Sequence, residues 1–291
     1  MANILVTGAN GQLGSELRKI GFSVLDEVFF TDVDELDITD YRAIEDFIQR
    51  HEIDTIINCA AYTAVDKAEE EPEKAARINT EAVANLAKAA AKEDCLLIHI
   101  STDYVFDGTA TEPYTEKTKT CPVSVYGRTK LAGEEAIKKS GCFYIIIRTA
   151  WLYSTFGNNF VKTILRLAAE RSELTVVADQ VGSPTYAEDL AKAIVKIMDN
   201  EERIEHEGIY HFSNEGACSW FDFATEIVRL GNAACKVRPV TTDEYPTKTK
   251  RPAYSVLDKS KIRKTFAVEV PDWKEALQRM MRQLETVKQT E

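Results

Sequence analysis

Tyr126 and Lys130 stand four residues apart in the stretch Tyr126-Gly127-Arg128-Thr129-Lys130. On a helix that spacing stacks both side chains on one face. A phenol beside an ammonium is a proton-donating pair. A free tyrosine has a pKa of about 10, some three units too high for ideal acid–base work at neutral pH, or roughly 4 kcal/mol. A positive charge about 4 Å away, at an effective dielectric near 20, supplies about that much. The pair has a second reading as well, an exposed helix with a stray tyrosine. The elements around it must decide.

Residues 3–7 form a short apolar run, read as a buried strand, and Gly8, Gly11 and Gly14 follow at intervals of three before a helix over 12–20. Strand, glycine turn and helix is the context that a dinucleotide pyrophosphate needs. Glycines allow a tight turn and close backbone approach, while the free N–H groups and the helix dipole hold negative charge. The G-x-x-G-x-x-G spacing differs from the G-x-G-x-x-G fingerprint, and a ligand-free glycine turn is the competing reading. A second strand over 28–31 ends at Asp32, 18 residues after Gly14. A carboxylate there suits adenosine ribose hydroxyls and repels a 2′-phosphate. No Arg or Lys lies between Val28 and Tyr41, so NADH is expected to bind at least as well as NADPH. The alternative is that Asp32 only caps a turn.

The alternation continues. A helix opens at Asp40, a strand over 54–59 runs into Ala60 and Ala61, and helical pattern extends from Pro72 to Lys92. A strand over 96–101 leads into Thr102. Ser124 caps the helix that holds Tyr126 and Lys130, and a strand over 144–149 ends at Ala150-Trp151. Strands alternating with helices predict a parallel, doubly wound sheet of the Rossmann type. Ligands of such sheets sit at the carboxyl ends of the strands, which places the glycine turn, Asp32, Ala60 to Thr63, Thr102 and Trp151 around one crevice. The later segments read as a helix over 160–170, a strand over 174–178, a helix over 187–198 and a strand over 209–213. The last three are expected to complete the sheet. A helix capped by Ser219, a strand over 237–241 and a helix over 273–284 close the chain, with fraying expected after Leu284. The expected division is a dinucleotide-binding domain over 1–153 plus 174–213, and a smaller α/β substrate-binding domain or lid over 154–173 plus 214–291.

Net charge is −11, which disfavours a general nucleic-acid binder. The six cysteines include no C-x-x-C pair and are expected to be reduced, the first four of them buried; the four histidines have no partners at metal-ligand spacing, so no metal site is expected. The N-terminus lacks a basic region followed by an apolar stretch, and no apolar run approaches ~18 residues. A cytoplasmic protein without membrane contact is the expectation.

Hydride delivery to a carbonyl carbon is the chemistry these groups fit. Tyr126 would protonate the oxygen, Thr102 would donate to the developing alkoxide, and Lys130 would reach a nicotinamide ribose. The glycine spacing, Asn58-Cys59-Ala60-Ala61, Thr102 and Tyr126-x-x-x-Lys130 resemble the extended short-chain dehydrogenase/reductase superfamily. Further stretches are Ala61-Tyr62-Thr63-Ala64-Val65-Asp66-Lys67-Ala68-Glu69 and Ser101-Thr102-Asp103-Tyr104-Val105-Phe106-Asp107-Gly108. With Arg148-Thr149-Ala150-Trp151 and Gly182-Ser183-Pro184-Thr185, they resemble the dTDP-4-dehydrorhamnose reductase family over essentially the full length.

That resemblance implies roles. Tyr126 would be the proton donor, Lys130 its modulator and ribose ligand, and Thr102 the group polarising a C4 carbonyl. Gly8, Gly11, Gln12, Leu13 and Gly14 would hold the pyrophosphate of NADH or NADPH. Asp32 would take the ribose, Asp37 and Ile38 the adenine side, and Ala60, Ala61, Tyr62, Thr63 and Ile100 the remaining cofactor wall. Val65, Asp103, Trp151 and Arg251 would meet a dTDP-linked 4-keto-6-deoxy sugar. The family segment at Arg251-Pro252 usually carries Asn where this chain has Tyr254. A homodimer is a family-level expectation; some relatives use Mg2+, for which no local motif stands here. Two alternatives stay open. An epimerase or dehydratase of the same fold is one, although a dehydratase needs an acid where Tyr104 stands. A non-enzymatic subunit resembling the regulatory subunit of methionine adenosyltransferase is the other.

Overall fold

The computed structural model describes residues 2–290. β1 (Asn3–Thr7), β2 (Glu27–Thr31), β3 (Thr55–Asn58), β4 (Leu96–Thr102) and β5 (Phe143–Thr149) join the strand Gly208–His211 in one six-stranded sheet. The order is Gly208–His211, β5, β4, β3, β1, β2, and every pairing is parallel. The chain moves outward from β1 to β2, then crosses back to β3. The switch point lies between β1 and β3, and a crevice opens there beyond the strand ends.

Period-2 alternation along each strand feeds two cores. Ile4, Val6, Ile57 and Ile98 face the helices Gln12–Ile20 and Ala187–Met198. Leu5, Ile56, Leu97 and Ile146 face Tyr41–Arg50 and Ala82–Lys92. Because both faces are covered, the strands read as near-continuous apolar runs. A third core, with Ile164, Leu174, Phe223, Ile227, Leu277 and Met280, belongs to the helices Phe160–Glu170, Trp220–Leu230 and Trp273–Thr290.

The strand expected over 174–178 does not complete the main sheet. Glu173–Val177 pairs instead with Lys236–Val240 in a separate parallel pair, because Leu174 and Val176 face the third core. The final helix runs to Thr290. The helical stretch expected from Pro72 to Lys92 is present, with a π-helical turn, Arg77–Glu81, inside it. That turn has a local use. It carries buried Asn79, whose Oδ1 accepts from Tyr62 N at 2.9 Å and whose Nδ2 donates to Tyr62 O at 3.1 Å and Thr129 Oγ1 at 3.2 Å. Gly133 makes room for this approach, since a Cβ there would lie 2.3 Å from Asn79 O. No helix among the described residues is long and apolar enough to cross a membrane. All six cysteines are free; Cys121, expected in a buried setting, is exposed.

Candidate active site

A cleft of about 830 Å³ opens at the switch point. Gly8 turns there with φ +66°, and an added Cβ would sit 2.6 Å from Ala60 N. The turn and the end of β3 therefore approach as closely as backbones can, which only glycine permits. Gly11, Gln12 and Leu13 lie on the cleft wall at the start of Gln12–Ile20. Gly14 does not line the cleft; it packs beneath the turn, where a Cβ would meet Ala9 Cα at 2.5 Å. Gly11 N–H closes the turn on Gly8 O at 3.1 Å, so an anion here would meet the N–H groups of Gln12 and Leu13 at the helix start. This backbone cradle fits a dinucleotide pyrophosphate, with Gly8 holding the turn against the end of β3.

Asp32 ends β2 at the cleft edge, where its carboxylate accepts from Asn10 N at 2.9 Å and Val33 N at 2.9 Å. Asp37 and Ile38 line the same end, and Thr39 N–H donation lowers the Asp37 carboxyl pKa. Ala60, Ala61, Tyr62 and Thr63 form the next wall, with Val65 behind them, and Ile100 leads to the inner end. Asn79 pins the Tyr62 backbone there, a role no local sequence pattern announces.

The inner end holds the titratable groups. Ser124 caps Val125–Ser140 by accepting from Gly127 N at 3.0 Å, so the helix begins just before Tyr126. Tyr126 and Lys130 are both buried, not solvated as the competing reading required. Burial pushes the phenol of Tyr126 up; a hydrogen bond with Thr102 works against this, and Asp103 and Tyr104 add to it. This departs from the expectation that the Lys130 ammonium depresses the phenol. Lys130 Nζ turns instead to Ile100 O at 2.6 Å and His99 Nε2 at 3.2 Å. Burial lowers the Lys130 ammonium to about 8, with Glu134 and Cys59 opposing.

Thr102 and Asp103 follow at the end of β4. The Thr102 hydroxyl donates to Asp103 Oδ1 at 2.9 Å and accepts from Tyr104 N at 3.2 Å. It must leave Asp103 before it can donate to a ligand. Asp103 is pushed up to about 6, chiefly by burial, and its Oδ2 is a buried atom with no hydrogen-bond partner.

Trp151, expected after β5, has φ +49°, an uncommon conformation for a bulky residue. Its indole stacks on Trp220 with centroids 3.5 Å apart and planes 11° from parallel. Gly182 makes room below, where a Cβ would meet Trp151 Cε2 at 2.6 Å. Trp220, Gly157, Asn158 and Asn159 also line the cleft and were not anticipated. Trp220 follows Trp151 by 69 residues, so nothing in the local sequence pairs them. Arg251 is not on the cleft wall. It donates to Tyr104 Oη at 3.0 Å and Asp66 Oδ2 at 2.6 Å, beside the mouth.

The comparisons agree with this geometry. A family model described as the RmlD substrate binding domain matches residues 1–286. A dTDP-4-dehydrorhamnose reductase of Aggregatibacter actinomycetemcomitans is 42% identical over 290 residues, covering 95% of this chain and 97% of the relative. The crystal structure of a Clostridium acetobutylicum dTDP-4-dehydrorhamnose reductase superposes with a TM-score of 0.93 at 47% identity, covering 97% of this chain and 99% of that one. The Bacillus anthracis enzyme of that name, solved in complex with NADP, also reaches a TM-score of 0.93, at 41% identity and the same coverage of 97% and 99%. With a Rossmann-type sheet, a cleft suited to a nicotinamide dinucleotide and these full-length matches, the chain belongs to the dTDP-4-dehydrorhamnose reductase family of oxidoreductases.

Proposed function

We propose that the protein reduces the C4 keto group of dTDP-4-dehydro-L-rhamnose to give dTDP-L-rhamnose, with NADH serving at least as well as NADPH. The observation that carries this reading is the inner end of the cleft, where Thr102, Tyr126, Lys130 and Trp151 meet. Gly11, Gln12, Leu13 and Asp32 would hold a reduced nicotinamide dinucleotide, which would supply the hydride. The chain supplies everything else. Tyr126 holds a proton at Oη, and its raised pKa keeps the phenol neutral until an oxygen more basic than itself forms beside it. An alkoxide is such a base, comparable with hydroxide, whose conjugate acid has a pKa of about 15.7. Proton transfer from Tyr126 is then downhill, and the phenol need not be acidic in the resting site. Thr102, once turned from Asp103, donates to the same oxygen. Asp103 and Trp151 would orient the deoxysugar, and Arg251, held beside the mouth by Asp66 and Tyr104, would meet the diphosphate.

Simple reduction is favoured over dehydration because Tyr104 occupies the place of the extra acid. Its phenol is half-buried, raised in pKa by desolvation, and engaged by Arg251. That NADH serves at least as well as NADPH is supported by Asp32 and Asp37 at the adenosine edge, against which a 2′-phosphate would be repelled. The division expected at residue 174 is moved, because Glu173–Val177 pairs with Lys236–Val240 against the third core: the chain is proposed to divide into a dinucleotide part over 1–153 plus 187–213 and a substrate part over 154–186 plus 214–291. A homodimer is proposed from the resemblance to the family, and sedimentation tests it. The deciding assay is NADH and NADPH oxidation with dTDP-4-dehydro-6-deoxy-L-mannose, against UDP- and GDP-linked 4-keto sugars. Turnover confined to the UDP or GDP substrates would overturn the proposed substrate, and a strong preference for NADPH would overturn the reading of Asp32.

A further inference from the structure

Three adjacent strands place Thr7, Asn58 and His99 in one row, since Thr7 pairs with Asn58 and Asn58 with His99. All three side chains are buried, as is Lys130. Their hydrogen bonds leave little freedom. Ala60 N–H, which can only donate, points at Asn58 Oδ1 from 3.0 Å, and Thr7 Oγ1 donates to the same atom at 2.8 Å. That atom is therefore the amide oxygen. The Asn58 Nδ2 that faces His99 Nδ1 at 3.0 Å is then a donor, and His99 Nδ1 must accept. A neutral imidazole carries one N–H, so the proton sits on Nε2. Nε2 faces Lys130 Nζ at 3.2 Å. An ammonium has no lone pair with which to accept from it; a neutral amine does. One amine N–H donates to Ile100 O at 2.6 Å, the lone pair accepts from His99, and the other N–H is left for the cleft. Reversing the Asn58 amide would set Ala60 N–H against an NH2 group, so this is the arrangement that satisfies every atom.

We propose that His99 is a positioning residue for Lys130: fixed by Asn58 as its Nε2–H tautomer, it donates to the Lys130 amine and makes proton uptake there depend on release of that hydrogen bond. The proposal rests on the reading above that Lys130 serves the reaction. The step balances simply. A proton from solvent bonds the Nζ lone pair, the His99 Nε2–H···Nζ hydrogen bond breaks, and no electrons are exchanged. The other groups facing Lys130 are Glu134 one turn along its own helix, Tyr126 one turn back, and Cys59 at the end of β3. Glu134 is engaged by Arg148 at 2.9 and 2.6 Å and by Ser101. Cys59 is pushed up to about 12 by burial and stays a thiol. Burial also holds His99 neutral, well below the usual imidazole range, with Lys130 acting in the same direction.

The test uses the full-length, cofactor-free protein with 15N-labelled histidine. The His99 resonances should report a protonated Nε2 and a bare Nδ1 above about pH 8, where Lys130 is a neutral amine. Asn58→Asp keeps acceptors for Thr7 and Ala60 but accepts from Nδ1–H, which reverses the tautomer and lets Nε2 accept from an ammonium. The limb of the kcat/KM pH profile that belongs to Lys130 should then move up by about one pH unit, the size of one charge-assisted hydrogen bond. His99→Gln, which offers Lys130 an oxygen, should move it the same way. A wild-type Nδ1–H tautomer overturns the proposal, as does an Asn58→Asp profile that superimposes on wild type. Absence of turnover with every nucleotide sugar would sink the reductase reading instead, while the tautomer measurement would still decide the role of His99.

Discussion

At the scale of single residues, the cleft keeps the Tyr126 phenol neutral. Tyr126 lies in a buried pocket whose nearest polar partners are Thr102, Asp103 and Tyr104. Tyr126→Phe removes the proton and little volume. Turnover should fall roughly 100- to 10,000-fold, the range for loss of a general acid, while the dissociation constant for NADH stays nearly unchanged. Retained turnover would remove Tyr126 from the mechanism. The proposal that NADH serves at least as well as NADPH rests on Asp32. Asp32→Ala should weaken NADH about tenfold or more, as expected for a lost hydrogen bond to a charged group, and should narrow the gap to NADPH. Michaelis constants for both cofactors are the measure, and unchanged values would assign Asp32 only to its turn with Asn10 and Val33.

At the scale of elements, each functional group is delivered by an end rather than a middle. Gly8 follows β1, Asp32 follows β2, Ala60 follows β3, Thr102 ends β4 and Trp151 follows β5. Trp151 needs more than its strand, because its backbone has φ +49° and its ring rests between Trp220 and Gly182. Gly182→Ala puts a methyl 2.6 Å from the indole and 2.7 Å from Ser255 Oγ. The ring must shift, at about 1–3 kcal/mol of stability. The KM for the nucleotide sugar should rise several-fold with the NADH dissociation constant unaltered. Equal changes in both constants would mean a general loss of structure and not a displaced tryptophan.

At the scale of the whole molecule, polar contacts tie the substrate part to the dinucleotide part. Ser154 Oγ donates to buried Glu16 Oε1 at 2.7 Å, Asn159 Nδ2 to Gln12 Oε1 at 3.0 Å, and Lys19 Nζ to Gln283 Oε1 at 2.6 Å. Arg279 clamps Asp189 at 2.8 and 2.6 Å. The buried histidines set the response to acid. His211 is lowered to about 3, by burial first and then by Arg148, and His99 is lowered too. Below pH ~6.5 the unfolded chain binds protons that these native imidazoles refuse, so stability falls as pH drops from about 6.5 toward 3. Asp103, raised to about 6, takes a proton first in the native state and offsets part of the fall between pH 6 and about 4. His211→Asn should flatten the fall by up to about 1.4 kcal/mol per pH unit, read from urea unfolding at several pH values. A variant curve parallel to wild type would exclude His211 as a source.

Much of this was legible in the sequence because it is local. Alternating apolar runs and glycine turns announce a doubly wound sheet, the Ser124 cap locates the Tyr126 helix, and the sheet's parallel order sends the motif residues to one edge. What the sequence could not decide depends on contacts between distant segments. Whether Leu174 to Val177 joined the main sheet turned on which core its side chains reached. Trp220 entered the site only because its helix packs beside Trp151, and Asn79 only because a π-turn rotates it inward. The direction of the Tyr126 shift shows the difference best. Spacing places Lys130 one turn away, and from that alone an electrostatic pull on the phenol follows. Tertiary structure buries both groups and turns the amine toward Ile100 and His99, and desolvation then outweighs the pull.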